Sequence, residues 1–324
     1  MLEYYNIILY SGGQEVMAWY FILLIVLASL LFLHILFIIV VYNIMLYHPK
    51  FDENYALMTK EEMHTLKYKI REAEKDTIRV PYTHEYLQIG KYKMHAQFYN
   101  QGSNKSVIIL HGYCARIEYR MMDMPFYYNN GFNVLMVDLR AHGESEGKYI
   151  TLGALESKDT MEWIKWLSKK TKNSKIVLDG VSMGAATVLN CAGNPNLPDN
   201  VVGVIADCSF TSPYDMAKYL LWHYGKSIPY GSLYLGWLYT KWFLHYDLKK
   251  DAPIENVKHA KIPALIIHGD SDKFVPFNMS QKIYDAYAGG KSRLITKGTG
   301  HALSSVLHTK ECHTAITNFL KKVI

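Results

Sequence analysis

Lys175-Ile-Val-Leu-Asp-Gly180-Val-Ser182-Met-Gly184-Ala-Ala-Thr-Val188 is the stretch whose reading decides the fold. The apolar run Ile176–Leu178 predicts a buried strand, and Ala185 to Leu189 predicts a helix. Between them Gly180-Val181-Ser182-Met183-Gly184 matches G-x-S-x-G, the sharp turn that exposes a nucleophilic serine. A serine there sits in strained backbone geometry, and a Cβ at either flanking glycine would collide with the neighbouring strand or helix. The helix N-terminus behind Ser182 aims free N–H groups at the place where an oxyanion forms. The alternative is a bare Gly/Ser turn, and the strand-and-helix context favours the catalytic reading.

Outward from this stretch, short apolar runs alternate with amphipathic segments. Tyr92–Tyr99, Val107–Leu110, Asn133–Val137, Val201–Ile205, Ala264–Ile267 and Leu294–Ile295 predict strands, and Thr160–Leu167 predicts a helix. Such alternation predicts an α/β chain with a mostly parallel, doubly wound sheet covered on both faces. Between Ser212 and Lys258 the strands stop, and an aromatic-rich insertion follows that includes Tyr219, Trp222, Tyr230, Trp237 and Trp242. It is expected to be a helical cap, at about 212–258, over the carboxyl ends of the strands. Trp237 and Trp242 are its candidate substrate-binding residues, unless these aromatics only pack the cap's own core.

A chain of 324 residues with 50% hydrophobic and 14% aromatic content has ample material for a core. The net charge of +6 is spread along the chain, which argues against a nucleic-acid partner. Cys114, Cys191, Cys208 and Cys312 are widely spaced and read as free thiols, with no disulfide framework or zinc site. No H-E-x-x-H, P-loop or dinucleotide fingerprint occurs, so no metal and no cofactor are expected.

Between Glu15 and Lys50 there is no Asp, Glu, Lys or Arg, and Ala18–Tyr42 exceeds the ~20 residues that cross a bilayer. Trp19, Tyr20, Tyr42 and Tyr47 fit interfacial belts. A cleaved signal peptide fits poorly, because no basic n-region or small-residue cleavage site is seen. The expected organisation is a short segment 1–16, a transmembrane anchor 17–47, a juxtamembrane helical connector 48–80 and a catalytic domain 81–324. His34 reads as a neutral histidine tolerated against a neighbouring helix. In the connector, Thr59-x-x-Glu62 is a capping box, and Met63, Leu66 and Ile70 form a narrow apolar stripe. That helix is expected either to lie against the domain or lipid, or to be solvated.

A serine hydroxyl needs a base, and the base needs an orienting acid. Both follow Ser182 in the order acid, then histidine. Asp272 lies in Ile267-His-Gly-Asp270-Ser-Asp272-Lys-Phe-Val-Pro276 after an apolar strand, and His301 lies in Gly298-Thr-Gly-His301-Ala302. Asp270 and Asp207 compete with Asp272. The backbone N–H groups of Tyr113 and Met183 are the expected oxyanion donors. His111 is read as bracing that loop, and Asp138, Arg140 and His142 as a structural polar turn.

Together His111-Gly112, Asp138-Leu-Arg-Ala-His-Gly-Glu-Ser145, Gly180–Gly184, His268–Pro276 and Gly300-His301 resemble the α/β-hydrolases. Within that fold the chain resembles the bacterial membrane-associated hydrolases of the serine aminopeptidase/lysophospholipase-like group, over about Tyr82 to Val323. The resemblance implies a serine hydrolase with Ser182, Asp272 and His301 as its triad and no cofactor. The expected function is a membrane-anchored enzyme that cleaves a carboxylic ester, with a hydrophobic acyl or aromatic part, through an acyl-enzyme. An aminopeptidase or thioesterase with the same triad is the alternative, as is a catalytically silent, membrane-tethered binding module. The expected partners are a small or lipid-like ester and the bilayer. Lys50 and Lys60 follow the span closely and no Lys or Arg precedes it, which favours a cytoplasmic catalytic domain. The resemblance favours the cell surface instead.

Overall fold

The computed structural model describes residues 2–47, 60–77, 80–172, 174–224 and 231–324, with backbone alone for 2–15, 60, 62, 76, 77 and 224. Its centre is an eight-stranded sheet in the order β1-β2-β4-β3-β5-β6-β7-β8. The strands are β1 Thr83–Ile89, β2 Tyr92–Tyr99, β3 Lys105–Leu110, β4 Asn133–Val137, β5 Lys175–Val181, β6 Val201–Asp207, β7 Ala264–Gly269 and β8 Lys291–Thr296. β1, β2 and β4 pair antiparallel, and β4-β3-β5-β6-β7-β8 pair parallel. This is the α/β-hydrolase fold.

The helices are α1 Leu2–Leu46, α2 Lys60–Thr77, α3 Met124–Asn129, α4 Ala154–Lys170, α5 Met183–Ala192, α6 Pro213–Tyr224, α7 Gly231–Phe243, α8 Pro253–Asn256, α9 Phe277–Ala286, α10 Ser304–Leu307 and α11 Thr309–Val323. Side chains alternate across each central strand, so β3 sends Ile108 and Leu110 to one face and Val107 and Ile109 to the other. The first face is covered by α4 and α5 through Trp163, Ile164, Leu167, Val188 and Leu189. The second is covered by α3 and α11 through Met124, Tyr127, Ile316 and Phe319. Both faces are therefore dry, as the near-continuous apolar runs of β3 and β4 require.

β1 is the strand without a sequence signal. It is an edge strand whose Thr83, His84 and Tyr86 are exposed, so only Leu87 and Ile89 face the core. Its pairing with β2 comes from the tight turn at Gly90, whose φ of 57° suits glycine. Thr59 of the expected capping box and Tyr230 of the expected cap lie outside the described residues.

α1 contains a stretch, Val16–Leu46, of 31 residues with mean hydropathy 3.2, and it is the one helix among the described residues long and apolar enough to cross a membrane. Its last turns pack on the loops of the domain. The Leu46 carbonyl accepts the N–H of Ile150 at 2.8 Å, and Leu46 packs with Tyr246 and Leu248.

Candidate active site

β5 ends at Val181, and the chain turns into α5 through Ser182, whose φ of 55° and ψ of −113° are strained for a residue with a side chain. A Cβ on Gly180 would stand 2.2 Å from the Gly184 carbonyl oxygen, and one on Gly184 would stand 2.5 Å from the Leu110 carbonyl oxygen. Only glycine allows the helix to approach its own strand and β3 this closely. The Ser182 N–H donates to the Asp207 carbonyl at 2.8 Å, which pins the turn to the end of β6.

Three loops at the carboxyl ends of parallel strands meet here. Ser182 Oγ lies 2.9 Å from His301 Nε2, and His301 Nδ1 lies 2.7 Å from Asp272 Oδ2. A proton on Nδ1, donated to the carboxylate, leaves the Nε2 lone pair facing the serine hydroxyl. All three side chains are buried. The other carboxylate oxygen of Asp272 accepts the N–H groups of Phe274 and Val275, each at 2.9 Å. Burial opposes ionisation of Asp272, but hydrogen bonds from His268 and His301 outweigh it and hold its pKa well below the usual carboxylate range.

The competing acids do different work. Asp270 is exposed, and its Oδ1 accepts the Gly298 N–H at 2.7 Å and the Ser271 hydroxyl at 3.0 Å, so it shapes the turn. Asp207 is buried and accepts the Ser304 hydroxyl at 3.2 Å, and burial raises its pKa.

The loop after β3 lies against the serine, since a Cβ on Gly112 would be 3.4 Å from Ser182 Cβ. That contact sets the residue before Tyr113 on the elbow, from which Met183 starts α5. Two neutral histidines brace the loop. His111 Nε2 accepts the Leu139 N–H at 3.0 Å while its Nδ1 donates to the Gly112 carbonyl at 2.7 Å. His142 Nε2 accepts the Cys114 N–H at 3.1 Å while its Nδ1 donates to the Arg140 carbonyl at 2.8 Å. Arg140 in turn forms a bidentate pair with Asp159 at 2.6 and 2.7 Å.

Ser182 and His301 open onto a small pocket of about 50 Å³, whose other walls include Leu66, Tyr119, Arg120, Asp123 and Val306. Leu66 belongs to α2 and packs on Leu303 and Val306, so the connector helix lies against the domain and walls the pocket. Neither Trp237 nor Trp242 lines this pocket. The Trp237 Nε1–H donates to Asp247 at 2.8 Å and its ring carries Lys249 at 4.1 Å, while Trp242 is 68% exposed. The expected substrate-binding cap is turned instead towards α1, because aromatic and small residues of α7 pack on that helix.

The sequence reading passed over the pocket's polar wall. Arg120 Nη2 donates to Asp179 at 3.0 Å and its Nε lies 2.7 Å from Asp123, while the Tyr127 hydroxyl donates to Asp179 at 2.6 Å. The one available signal was Asp179 itself, an acid inside an apolar strand that a fold tolerates only with buried partners. Burial pushes the Asp123 carboxyl up to about 6, against the pull of Arg120.

A family model described as the alpha/beta hydrolase fold matches residues 105–230. The Bacillus subtilis (strain 168) protein YqkD is 29% identical over 210 residues, covering 64% of this chain and 68% of its own. The lysophosphatidylserine lipase ABHD12 of Danio rerio is 26% identical over 205 residues, covering 59% of this chain and 50% of its own. Among solved structures, an esterase from Pyrococcus furiosus superposes with a TM-score of 0.60 at 25% identity, covering 77% of this chain and 95% of the esterase. The chain thus spans about half the length of the Danio rerio relative. Fold, motifs and matches define the class, and the chain belongs to the α/β-hydrolase superfamily.

Proposed function

We infer that the chain is a membrane-anchored serine hydrolase that cleaves a carboxylic ester through an acyl-enzyme. The observation that carries this reading is the continuous hydrogen-bonded line from Ser182 Oγ through His301 to Asp272. His301 takes the serine proton as Oγ attacks the ester carbonyl, and then returns it to the leaving alcohol. The same histidine activates the water that releases the acid. Asp272 stays ionised and holds the imidazole tautomer. The N–H groups of Tyr113 and Met183 stabilise the oxyanion, and the apolar pocket wall with Leu66 and Val306 takes an acyl chain. An esterase and a lysophosphatidylserine lipase among the similar proteins support an ester, and single-chain lysophospholipids are the first class to try.

Fluorophosphonate labelling of the full chain, followed by a panel of acyl esters and lysophospholipids, tests it. Labelling is expected in the native chain and absent in Ser182→Ala; labelling that survives the substitution overturns the reading. Val16–Leu46 serves as the anchor, and Lys50 and Lys60 close after it support a cytoplasmic catalytic domain. Protease shaving of intact cells checks that sidedness, because prompt digestion of the domain with cytosolic markers untouched means the enzyme faces outward.

A further inference from the structure

α7 runs alongside the last turns of α1 in the same direction. Near the start of α7, Ser232 Oγ lies 3.2 Å from His34 Nε2. Midway, Gly236 sits against the Tyr42 ring so closely that a Cβ would be 2.1 Å from Tyr42 Cζ. Further on, the Asn43 side-chain N–H donates to the Tyr239 hydroxyl at 2.9 Å. Ile38, between these contacts, is only 3% exposed.

This pairing fixes the height of α7 relative to the bilayer. At 1.5 Å per residue the 31-residue apolar stretch is about 46 Å long. Hydrocarbon accounts for roughly 30 Å of a bilayer, and 40–45 Å includes the headgroups. Centred on the bilayer, this stretch puts His34 about 5 Å and Asn43 about 18 Å past the midplane, so these turns rise through the leaflet beside the hydrolase to its headgroup boundary, and α7 rises alongside them. α7 exposes Tyr234 at 53%, Trp242 at 68% and Phe243 at 72%, and α6, which packs against α7, exposes Trp222 at 66%. Large aromatics with a polar tip or edge are the residues that anchor proteins in this zone, and in water such a group would be an unexplained apolar patch.

We propose that α6 and α7 form an interfacial surface seated in the phospholipid leaflet that α1 crosses, with Trp222, Tyr234, Trp242 and Phe243 among the lipids. The proposal rests on the anchor reading above and adds a second, peripheral contact to it. It also brings the leaflet close to the chemistry. The Tyr219 hydroxyl of α6 donates to the Lys273 carbonyl at 2.9 Å, and the ring of the next residue, Phe274, stands edge-on to His301 at 4.9 Å.

The test uses the full chain in phosphatidylcholine–phosphatidylglycerol vesicles. Tyr234→Cys, Phe243→Cys and, as a distant control on β8, Ile295→Cys each carry an environment-sensitive dye, with the labelled native chain as background. Retained fluorophosphonate labelling reports that each variant is folded. Lipids brominated near the top of the acyl chain are expected to quench the dye at 234 and 243 about twofold or more, and at 295 not at all, as for segments buried in the boundary region. Quenching at 234 should exceed that at 243, since α7 rises out of the leaflet from Ser232 to Phe243. Chains that co-float with vesicles but show all three dyes equally unquenched overturn the interfacial surface alone. Chains that fail to co-float overturn the anchor reading, and the surface with it.

Discussion

α2 and the α6–α7 pair are both helical additions to the same sheet, and their sequences advertise opposite roles. α2 is highly charged, with one narrow apolar stripe, yet its Leu66 is 5% exposed and walls the pocket beside Ser182. α7 is rich in aromatics, which suggests a substrate cradle, yet its inner face is taken up by α1. The difference teaches that apolar content says how much surface a helix must cover, and position along the chain decides what covers it. α2 follows α1 and folds back over the elbow loop. α7 is attached beyond β6 and meets α1 instead.

The largest effect sets the scale against which both helices are measured. Ser182→Ala should lower turnover about a millionfold, and Asp272→Asn about ten-thousandfold, each with an unchanged melting curve. If Asp207→Asn matches Asp272→Asn in loss of turnover, the acid is assigned to the wrong strand.

Leu66→Ala comes next and separates the two helices. Removing this buried leucine should cost about 2–5 kcal/mol of stability and also shift acyl chain-length preference. Trp237→Ala should lower stability and leave that preference alone, as measured by kcat/KM over an ester series. The reverse pattern would restore the cap as the substrate cradle. Gly236→Ala forces a methyl group against the Tyr42 ring, so α7 must lift from α1 at about 1–3 kcal/mol. Thermal unfolding in detergent should register that cost while short soluble esters turn over normally.

The smallest effect reads the loop that joins the pocket to α1, where the Tyr113 hydroxyl donates to the Met45 carbonyl at 2.5 Å. Burial, reinforced by His142, pushes the pKa of His111 down from 6.5 to about 3. A histidine depressed in this way contributes stability that is fully present above 6.5 and is lost as pH falls towards 3. Unfolding free energy should therefore decline by up to about 1.4 kcal/mol per pH unit below 6.5 from this group. A His111→Gln variant should show a shallower acid limb in denaturant melts.

Much of the sheet was legible because its strands are buried on both faces. Val107–Leu110 and Val134–Val137 are unbroken apolar runs too short for a helix, as strands covered on both faces require. β1 was not legible, because an edge strand needs apolar residues on one side only. The order of Ser182, Asp272 and His301 along the chain was readable for a related reason. Each follows a predicted strand, and parallel strands deliver their carboxyl ends to one edge.

Sequence alone therefore determined the parallel α/β architecture, the glycines that let the elbow form, the long apolar stretch near the start and the set of residues from which a triad is drawn. Those features rest on local sterics and on periodic burial, which neighbouring residues encode. Only the tertiary structure decided that Asp272 and not Asp207 meets His301, that Leu66 walls the pocket with Arg120 and Asp123, and that α7 lies on α1 and not over the serine. Such contacts join residues far apart in the chain. Asp207 and Asp272 both follow apolar strands; the His268–Pro276 motif singled out Asp272, but which acid reaches the imidazole depends on loop paths that only the folded chain fixes.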